Sequence, residues 1–414
     1  MNHTLKKGEI LSVAGPAFVR VKRGMVEIVG APLKPSRVPL KIPEGKTVPF
    51  EARKPSVLSI TGADARVEEI RKRTIPRKWD LLIERIARRR IRKIIVLGEM
   101  DTGKSFFATY VANKLLGRGI RPAVLDCDIG QSDIGPPGCF GVLVLKRPTP
   151  FLALQEPTAI EMVGAHSPAL HFLPTVAAFS RMTKQALKSA DVLIINTNGW
   201  VQGDGGRAMK RTKLEAFDPD LIVLMQRDRE LEHLVVREPK RKIVRMVVSR
   251  KASFTPPDER KLLREEISRR YMKNARTITI RGFFTARAYY GTGQVSQPPV
   301  PVPGLLHAER LSGWEGWLLV TKKPIRNPAR LSERLKSRIM NIVAGSERNV
   351  MVGLLDARDR CLGIGSLQSL DYARRIARIV TPVRNKKAIC TIQFSSLRLD
   401  PKGYEAGFVT PGSF

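Results

Sequence analysis

The stretch Gly98-Glu99-Met100-Asp101-Thr102-Gly103-Lys104-Ser105 constrains this chain more than any other, because it fits G-x-x-x-x-G-K-S and its flanks have the matching periodicities. Ile94-Ile95-Val96-Leu97 before it reads as a buried strand, and Phe106 to Leu116 after it reads as a helix. Strand, glycine turn and helix in that order make a phosphate cradle. The backbone N–H groups from Gly98 through Phe106 can close around phosphate oxygens, and the helix N-terminus adds its partial positive charge. Lys104 reaches the β- and γ-phosphates, and the Ser105 hydroxyl is placed to ligate Mg²⁺. The segment therefore marks a site for ATP or GTP with Mg²⁺.

Short apolar runs continue beyond the cradle. Ala123-Val124-Leu125, Val192-Leu193-Ile194-Ile195, Leu221-Ile222-Val223-Leu224 and Val244-Arg245-Met246-Val247-Val248 read as buried strands separated by helical segments. That alternation predicts an α/β domain with a central parallel sheet. Upstream, Ala17 to Val21 and Met25 to Val29 alternate between breaks at Gly15-Pro16, Arg23-Gly24 and Pro43-Glu44-Gly45, so residues 1–65 read as a small antiparallel β-domain. The stretch Arg66 to Lys93 is strongly basic, and Trp79, Leu82, Ile83 and Ile86 place a basic amphipathic helix in its middle. A Pro- and Gly-rich segment, Tyr289 to Gly304, precedes β-like runs at Gly316 to Val320 and Asn349 to Leu355. The expected domains are thus 1–65 (β), 66–275 (P-loop domain with basic entry helix) and 276–414 (mixed, mainly β).

Charge narrows the partner. There are 73 Lys and Arg against 38 Asp and Glu, a formal net charge of +35. Such an excess repels itself unless counter-charge arrives, and a polyphosphate is the natural source. Nucleic acid is the favoured partner, with an anionic membrane surface second. Heat-adapted proteins are also rich in Lys and Arg, but usually with Glu in balance. No apolar run approaches the ~18 residues of a membrane span, and Met1 to Lys7 lacks the apolar stretch of a secretory leader. Cys127, Cys139, Cys361 and Cys390 form no C-x-x-C pair, and the five histidines form no metal-like cluster. The pattern speaks against a disulfide framework or zinc site and for a reducing, cytoplasmic setting.

Three further groups carry chemistry. The strand before Asp126-Cys127-Asp128 delivers two carboxylates to the sheet end where metal and nucleophile meet in such folds, one suited to the metal shell and the other to proton acceptance. Asp126 can equally serve only to orient the loop. Arg260 and Arg264 lie four apart and share a helix face, as do Arg207 and Arg211; the density of Arg250, Arg260, Arg264, Arg269 and Arg270 also suits a solvated basic face. Trp200 at a strand-end loop can stack on a nucleobase or pack beneath the loop as core.

These residues resemble the polynucleotide 5′-hydroxyl kinases, which include the kinase-like subunit of the mRNA 3′-end cleavage factor, the kinase of ribosomal-RNA spacer processing, and archaeal homologues. The resemblance rests on Asp101 within G-x-x-D-x-G-K-S, on Asp128-Ile129-Gly130-Gln131 running to Pro137-Gly138, on Thr197-Asn198-Gly199-Trp200, and on Arg260 and Arg264 ahead of Tyr271. It extends more weakly to Glu44-Gly45-Lys46-Thr47-Val48, to Gly353 to Val383, and to Gly164-Ala165-His166-Ser167-Pro168, where His166 replaces a small hydroxyl residue. The resemblance implies Lys104, Asp128, Arg260 and Arg264 as catalytic residues and Ser105 and Asp126 at the metal. It implies Lys46 with residues 98–106 on the nucleotide, and Gln131, Ser167, Thr197 and Trp200 on the substrate. The implied activity is transfer of the γ-phosphate to a 5′-OH end of RNA or DNA, in RNA processing or repair, with RNA-processing proteins as partners. The alternatives are a non-catalytic ATP-binding scaffold in an RNA-processing complex and a P-loop enzyme acting on a small molecule or protein. The latter explains the cradle but not the charge.

Overall fold

Alternation decides the first elements. In Ala17–Arg23 the residues Ala17, Val19 and Val21 are buried while Phe18, Arg20 and Lys22 are exposed, the period of a half-covered strand. The computed structural model describes residues 1–71, 73–249 and 255–414; Lys72 of the basic stretch and Arg250 of the arginine-rich segment lie outside the described residues. One compact unit comprises Met1–Asp126, Val142–Thr158 and the described residues of Thr183–Phe254; the other comprises Cys127–Gly141, Ala159–Met182 and Thr255–Phe414. No described helix is long and apolar enough to cross a membrane.

The first unit opens with two antiparallel sheets. One orders Asn2–Leu5, Ser56–Thr61, Ala17–Arg23 and Leu40–Ile42; the other orders Ala31–Leu33, Val26–Ile28, Thr47–Ala52, Ile10–Ala14 and Arg66–Ile70. The N-terminal β-structure therefore runs past residue 65, because Arg66–Ile70 pairs with Ile10–Ala14. The charges of Arg66, Glu68 and Glu69 hide this strand from a reading by apolar alternation; backbone pairing holds it.

Helix α1 (Arg77–Arg88) follows, then the strand Lys93–Gly98 and helix α2 (Lys104–Leu116). Lys93–Gly98 lies between Val192–Thr197 and Leu221–Gln226, parallel to both, and Ile243–Val247 adds in parallel beyond. Pro122–Cys127 neighbours Val192–Thr197 on the other side. All residues of Pro122–Cys127, Val192–Thr197 and Leu221–Gln226 are buried, which is why these strands read as continuous apolar runs. Helix α3 (Phe172–Ser189) and helix α4 (Gly203–Phe217) fall before and after Val192–Thr197. The expected central parallel sheet is present.

The second unit contains helix α5 (Pro257–Met272) and an antiparallel arrangement in which Val350–Leu355 lies between Cys361–Asp371 and Thr391–Leu399. Ile376–Thr381 pairs with both Cys361–Asp371 and Arg276–Arg281. A separate sheet of Gln294–Val295, Leu305–Leu311, Gly316–Thr321 and Arg338–Val343 has one parallel pair, Gly316–Thr321 with Arg338–Val343, and helix α6 (Pro328–Leu335) lies in the crossover between them. Leu318, Val352, Ile379, Ile392 and Phe394 belong to the core of this mainly β unit.

Helix α1 is the brace of the nucleotide-site helix. Trp79 meets Phe107 edge-on at 4.9 Å and lies within 5.8 Å of Tyr110, while the Tyr110 hydroxyl donates to Asp80 at 2.5 Å. Its buried side is Trp79, Leu82, Ile83 and Ile86, as the spacing predicts. Trp79→Ala removes this aromatic contact and is expected to lower unfolding free energy by about 3–5 kcal/mol, measured as a fall in the urea midpoint.

Candidate active site

Sterics force the phosphate cradle into shape. A Cβ on Gly98 would lie 2.5 Å from Thr102 Oγ1 and 2.8 Å from the Met225 carbonyl oxygen, so only glycine fits where the strand turns. Asp101 (φ 57°) and Gly103 (φ 84°) then take left-handed backbone, costly for an aspartate and free for a glycine. Thr102 Oγ1 donates to the Glu99 carbonyl at 2.9 Å, and Lys104 Nζ donates to the same oxygen. Lys104 is buried, Met100 projects to solvent, and Glu99 accepts from Gln202 Nε2 at 3.1 Å. Phe106 is near Trp79, with centroids 6.1 Å apart.

Beside the cradle, Asn196 Nδ2 donates to Ser105 Oγ at 3.0 Å and to Asp126 Oδ1 at 3.1 Å. Asp126 is fully buried, and the Asn196 carbonyl oxygen Oδ1 is buried with no hydrogen-bond partner among the described residues. A hydroxyl, a carboxylate and an unsatisfied amide oxygen form a hard oxygen set that suits Mg²⁺, directly or through its water. Among the described residues no group of three or more His, Cys, Asp or Glu is assembled to hold a metal. Asn196 was not foreseen in the sequence; its only signal is a polar residue inside an apolar strand.

The Thr197-Asn198-Gly199-Trp200 segment divides its roles. Thr197 is fully buried and its hydroxyl donates to the Val96 carbonyl at 2.8 Å. The expected substrate contact at Thr197 is therefore corrected: it ties two strands together and is closed to a ligand. Gly199 presses on the cradle, since a Cβ there would lie 2.5 Å from the Met100 nitrogen and 2.8 Å from its Cα. Buried Lys210 donates to Asn198 Oδ1 at 2.6 Å and holds this turn from α4. Trp200 is half-buried beside Gly206, whose Cβ would stand 3.1 Å from the indole Cδ1. Lys46 is exposed on the turn before Thr47–Ala52. Of the rival arginines, Arg211 pairs with Glu215 at 3.1 Å and Arg207 is exposed.

The second unit holds the other expected residues. Asp128 Oδ1 accepts the N–H groups of Gly130 and Gln131, both at 3.1 Å, and so closes its own turn. The Gln131 side chain donates to the Arg260 carbonyl at 3.2 Å, which links that turn to α5. Arg264 Nε donates to Glu405 Oε1 at 2.5 Å, with both side chains largely buried. His166 lies 3.8 Å from the same carboxylate, and burial, reinforced by Arg264, pushes its pKa down to about 4. The ring is thus neutral at physiological pH. Ser167 is exposed, and its hydroxyl accepts the Ala169 N–H at 3.3 Å. Glu405 carries no local sequence signal, because it stands 141 residues from Arg264.

A glycine cradle between parallel strands, with a lysine, a hydroxyl and a buried carboxylate around it, defines a P-loop NTPase-like protein with a nucleotide site. The P-loop model of the mRNA cleavage and polyadenylation factor CLP1 matches residues 98–274. The polyribonucleotide 5′-hydroxyl-kinase of Thermococcus kodakarensis is 30% identical over 323 residues, 76% of this chain and 90% of the relative. That of Pyrococcus abyssi is 28% identical over 347 residues, 81% of this chain and 96% of the relative. The chain belongs to this polyribonucleotide 5′-hydroxyl-kinase family. A solved Clp1p–Pcf11p complex contains a chain of the same fold, with a TM-score of 0.67 at 12% identity, covering 96% of this chain and 97% of that one.

The Gly199 contact yields a test remote from any charge. Gly199→Ala must push the backbone at Met100 aside, and nucleotide affinity is expected to fall about tenfold, because the cradle's N–H groups lose their register on the phosphates. Isothermal titration of the folded variant measures it.

Proposed function

We propose that this protein is an RNA 5′-hydroxyl kinase that takes the γ-phosphoryl group from ATP or GTP, with Mg²⁺, and that DNA 5′-OH ends are a further acceptor. The observation that carries the reading is the oxygen-rich corner of Ser105, Asp126 and Asn196 beside Lys104, in a chain whose relatives are named as polyribonucleotide 5′-hydroxyl-kinases. A magnesium nucleotide bound there supplies the phosphoryl group and a divalent charge that neutralises it. The protein's residues do the rest. Lys104 leaves the Glu99 carbonyl for the β- and γ-phosphate oxygens, backbone N–H groups of residues 98–106 hold the others, and Lys46 adds a cation to the nucleotide. Ser105 and Asp126 hold the metal, with Asn196 as their positioning partner. Asp128 accepts the proton of the attacking 5′-hydroxyl. The guanidinium groups of Arg260 and Arg264 neutralise the equatorial oxygens, for which their planar forks are well shaped. Gln131, Ser167 and Trp200 position the polynucleotide, Trp200 by stacking.

The proposed modules are the β-domain 1–65, onto which Arg66–Ile70 pairs, the P-loop kinase domain 66–275 and the mixed, mainly β domain 276–414, acting in the cytoplasm. Protein partners in RNA processing belong to the same proposal, given that the structural neighbour was solved with Pcf11p. A purely scaffolding role is disfavoured because Lys104, Ser105, Asp128, Arg260 and Arg264 are all retained. Loss of transfer would be expected to leave damage at one of them.

Incubation with γ-labelled ATP or GTP and 5′-OH oligonucleotides of both sugars tests the reading, and absence of label on every oligonucleotide would overturn it. Lys104→Ala is expected to abolish labelling and to weaken nucleotide binding strongly, because it removes the main cation on the β- and γ-phosphates. Arg260→Ala and Arg264→Ala should each slow transfer with ATP affinity nearly intact, as befits groups that act on transition-state charge. A larger loss from Arg207→Ala and Arg211→Ala would move that role to α4. Asp128→Asn is expected to lower kcat by about 10²–10⁴-fold with an unchanged melting curve. Near wild-type turnover would reduce Asp128 to closing its turn.

A further inference from the structure

Arg287 follows the strand Phe284–Ala286 on left-handed backbone, φ 58°, and is half-buried. Nη1 donates to the Val163 carbonyl at 2.5 Å, its one hydrogen-bond partner among the described residues. Glu161, the carboxylate that acts on it electrostatically, is paired with Arg181. Burial lowers the pKa of Arg287. A guanidinium has five N–H donors in a fork suited to phosphate, and with one carbonyl as its hydrogen-bond partner among the described residues Arg287 keeps donors to spare for an anion.

Arg287 lines a cavity of about 370 Å³ within the second unit. That is near the lower end of cavities that hold small organic ligands, about 300–1,000 Å³, and larger than a lone phosphate requires. His171 and Tyr289 line the same cavity, as does Leu170, which is 80% exposed. Burial, followed by the charge of Arg287, lowers the pKa of His171, so its ring is neutral at physiological pH. Ser396, which is buried, also lines the cavity with its hydroxyl-bearing side chain. The occupant these groups ask for is an anion joined to a flat ring and to hydroxyls.

We propose that this cavity is a subsite for one internal nucleotide of the RNA strand, its phosphodiester on Arg287 and its base against His171 and Tyr289. The proposal rests on the RNA 5′-end kinase reading. Chain continuity supports it: Val163 and Leu170, both cavity residues, flank the loop that carries Ser167. Ser167 and Leu170 are three residues apart, hence within about 10 Å of each other. A strand whose end is held at Ser167 therefore passes the cavity within a few nucleotides. The net charge of +35 draws the same partner. Base-face stacking there would be tolerant of sequence, as on other single-strand platforms.

The test compares adenosine 3′-monophosphate, one nucleotide long, with a 5′-OH RNA decamer. Wild type, Arg287→Gln and Leu170→Glu are assayed for kcat/KM, and decamer binding is titrated at several salt concentrations. Leu170→Glu places an acid among the cavity residues on a side chain that is already exposed, so it tests the idea even where Arg287→Gln fails to fold. For both variants kcat/KM on the decamer is expected to fall about tenfold, with the mononucleotide unaffected. Arg287→Gln should also make the log–log salt slope of decamer binding shallower by about 0.7, the loss of one phosphate contact. Equal loss on both substrates, or decamer binding that matches wild type at every salt concentration in either folded variant, overturns the subsite. If wild type labels neither substrate, the kinase reading fails. The change of salt slope then still decides whether the cavity holds RNA.

Discussion

Close approach of backbone at the ends of the parallel strands is the constraint on which the site depends. Gly98 has no room for a Cβ against Thr102 and Met225, and Gly199 has none against Met100. Gly98 at the end of one strand and Gly199 just past the end of its neighbour thus let the cradle sit directly on the sheet, with Gly103 turning the chain into α2. Once the loop is seated, strand ends set its chemistry: Asn196 reaches both Ser105 and Asp126, and Thr197 ties its strand to Val96. The buried face of α1 and the aromatic cluster at Trp79 stiffen the helix that leaves the cradle. Catalytic geometry here is a by-product of strand packing, so side chains with no chemistry of their own control it.

The second unit is organised by charge pairing across long stretches of chain. Glu405 binds Arg264 and stands next to neutral His166, while Gln131 joins the Asp128 turn to α5 through the Arg260 carbonyl. An arginine held by a largely buried carboxylate is positioned but not free, because breaking such a pair leaves one charge uncompensated. Under the proposed role on phosphate, Arg264 would exchange one oxyanion partner, Glu405, for another. Arg287 differs, since its contact is a carbonyl and no carboxylate is bonded to it.

The surplus of positive charge has a structural side as well. Several acids of the first unit are engaged, Asp80 with Arg73 and Tyr110, Glu27 with Arg53 and Lys114, Glu232 with Arg245. Cations such as Lys46, Arg88, Arg89 and Arg90 remain exposed. With intramolecular acids committed in this way, attraction to an external polyanion falls to the remaining Lys and Arg.

By itself the sequence determined the parallel sheet and the cradle, because buried parallel strands read as unbroken apolar runs and the glycine–lysine–serine spacing depends on local backbone alone. The same locality made α1 legible at Trp79, Leu82, Ile83 and Ile86. Tertiary structure decided what depends on partners distant along the chain. It made Arg66–Ile70 a strand through pairing with Ile10–Ala14, which no apolar alternation announces. It closed Thr197 to any ligand, although the T-x-G-W pattern names that residue with the rest. It brought Asn196 to Ser105 and Asp126, and Glu405 to Arg264. A motif records which residue types recur together; whether a given side chain faces a ligand or a neighbouring carbonyl is settled only when strands from far apart in the chain are laid side by side.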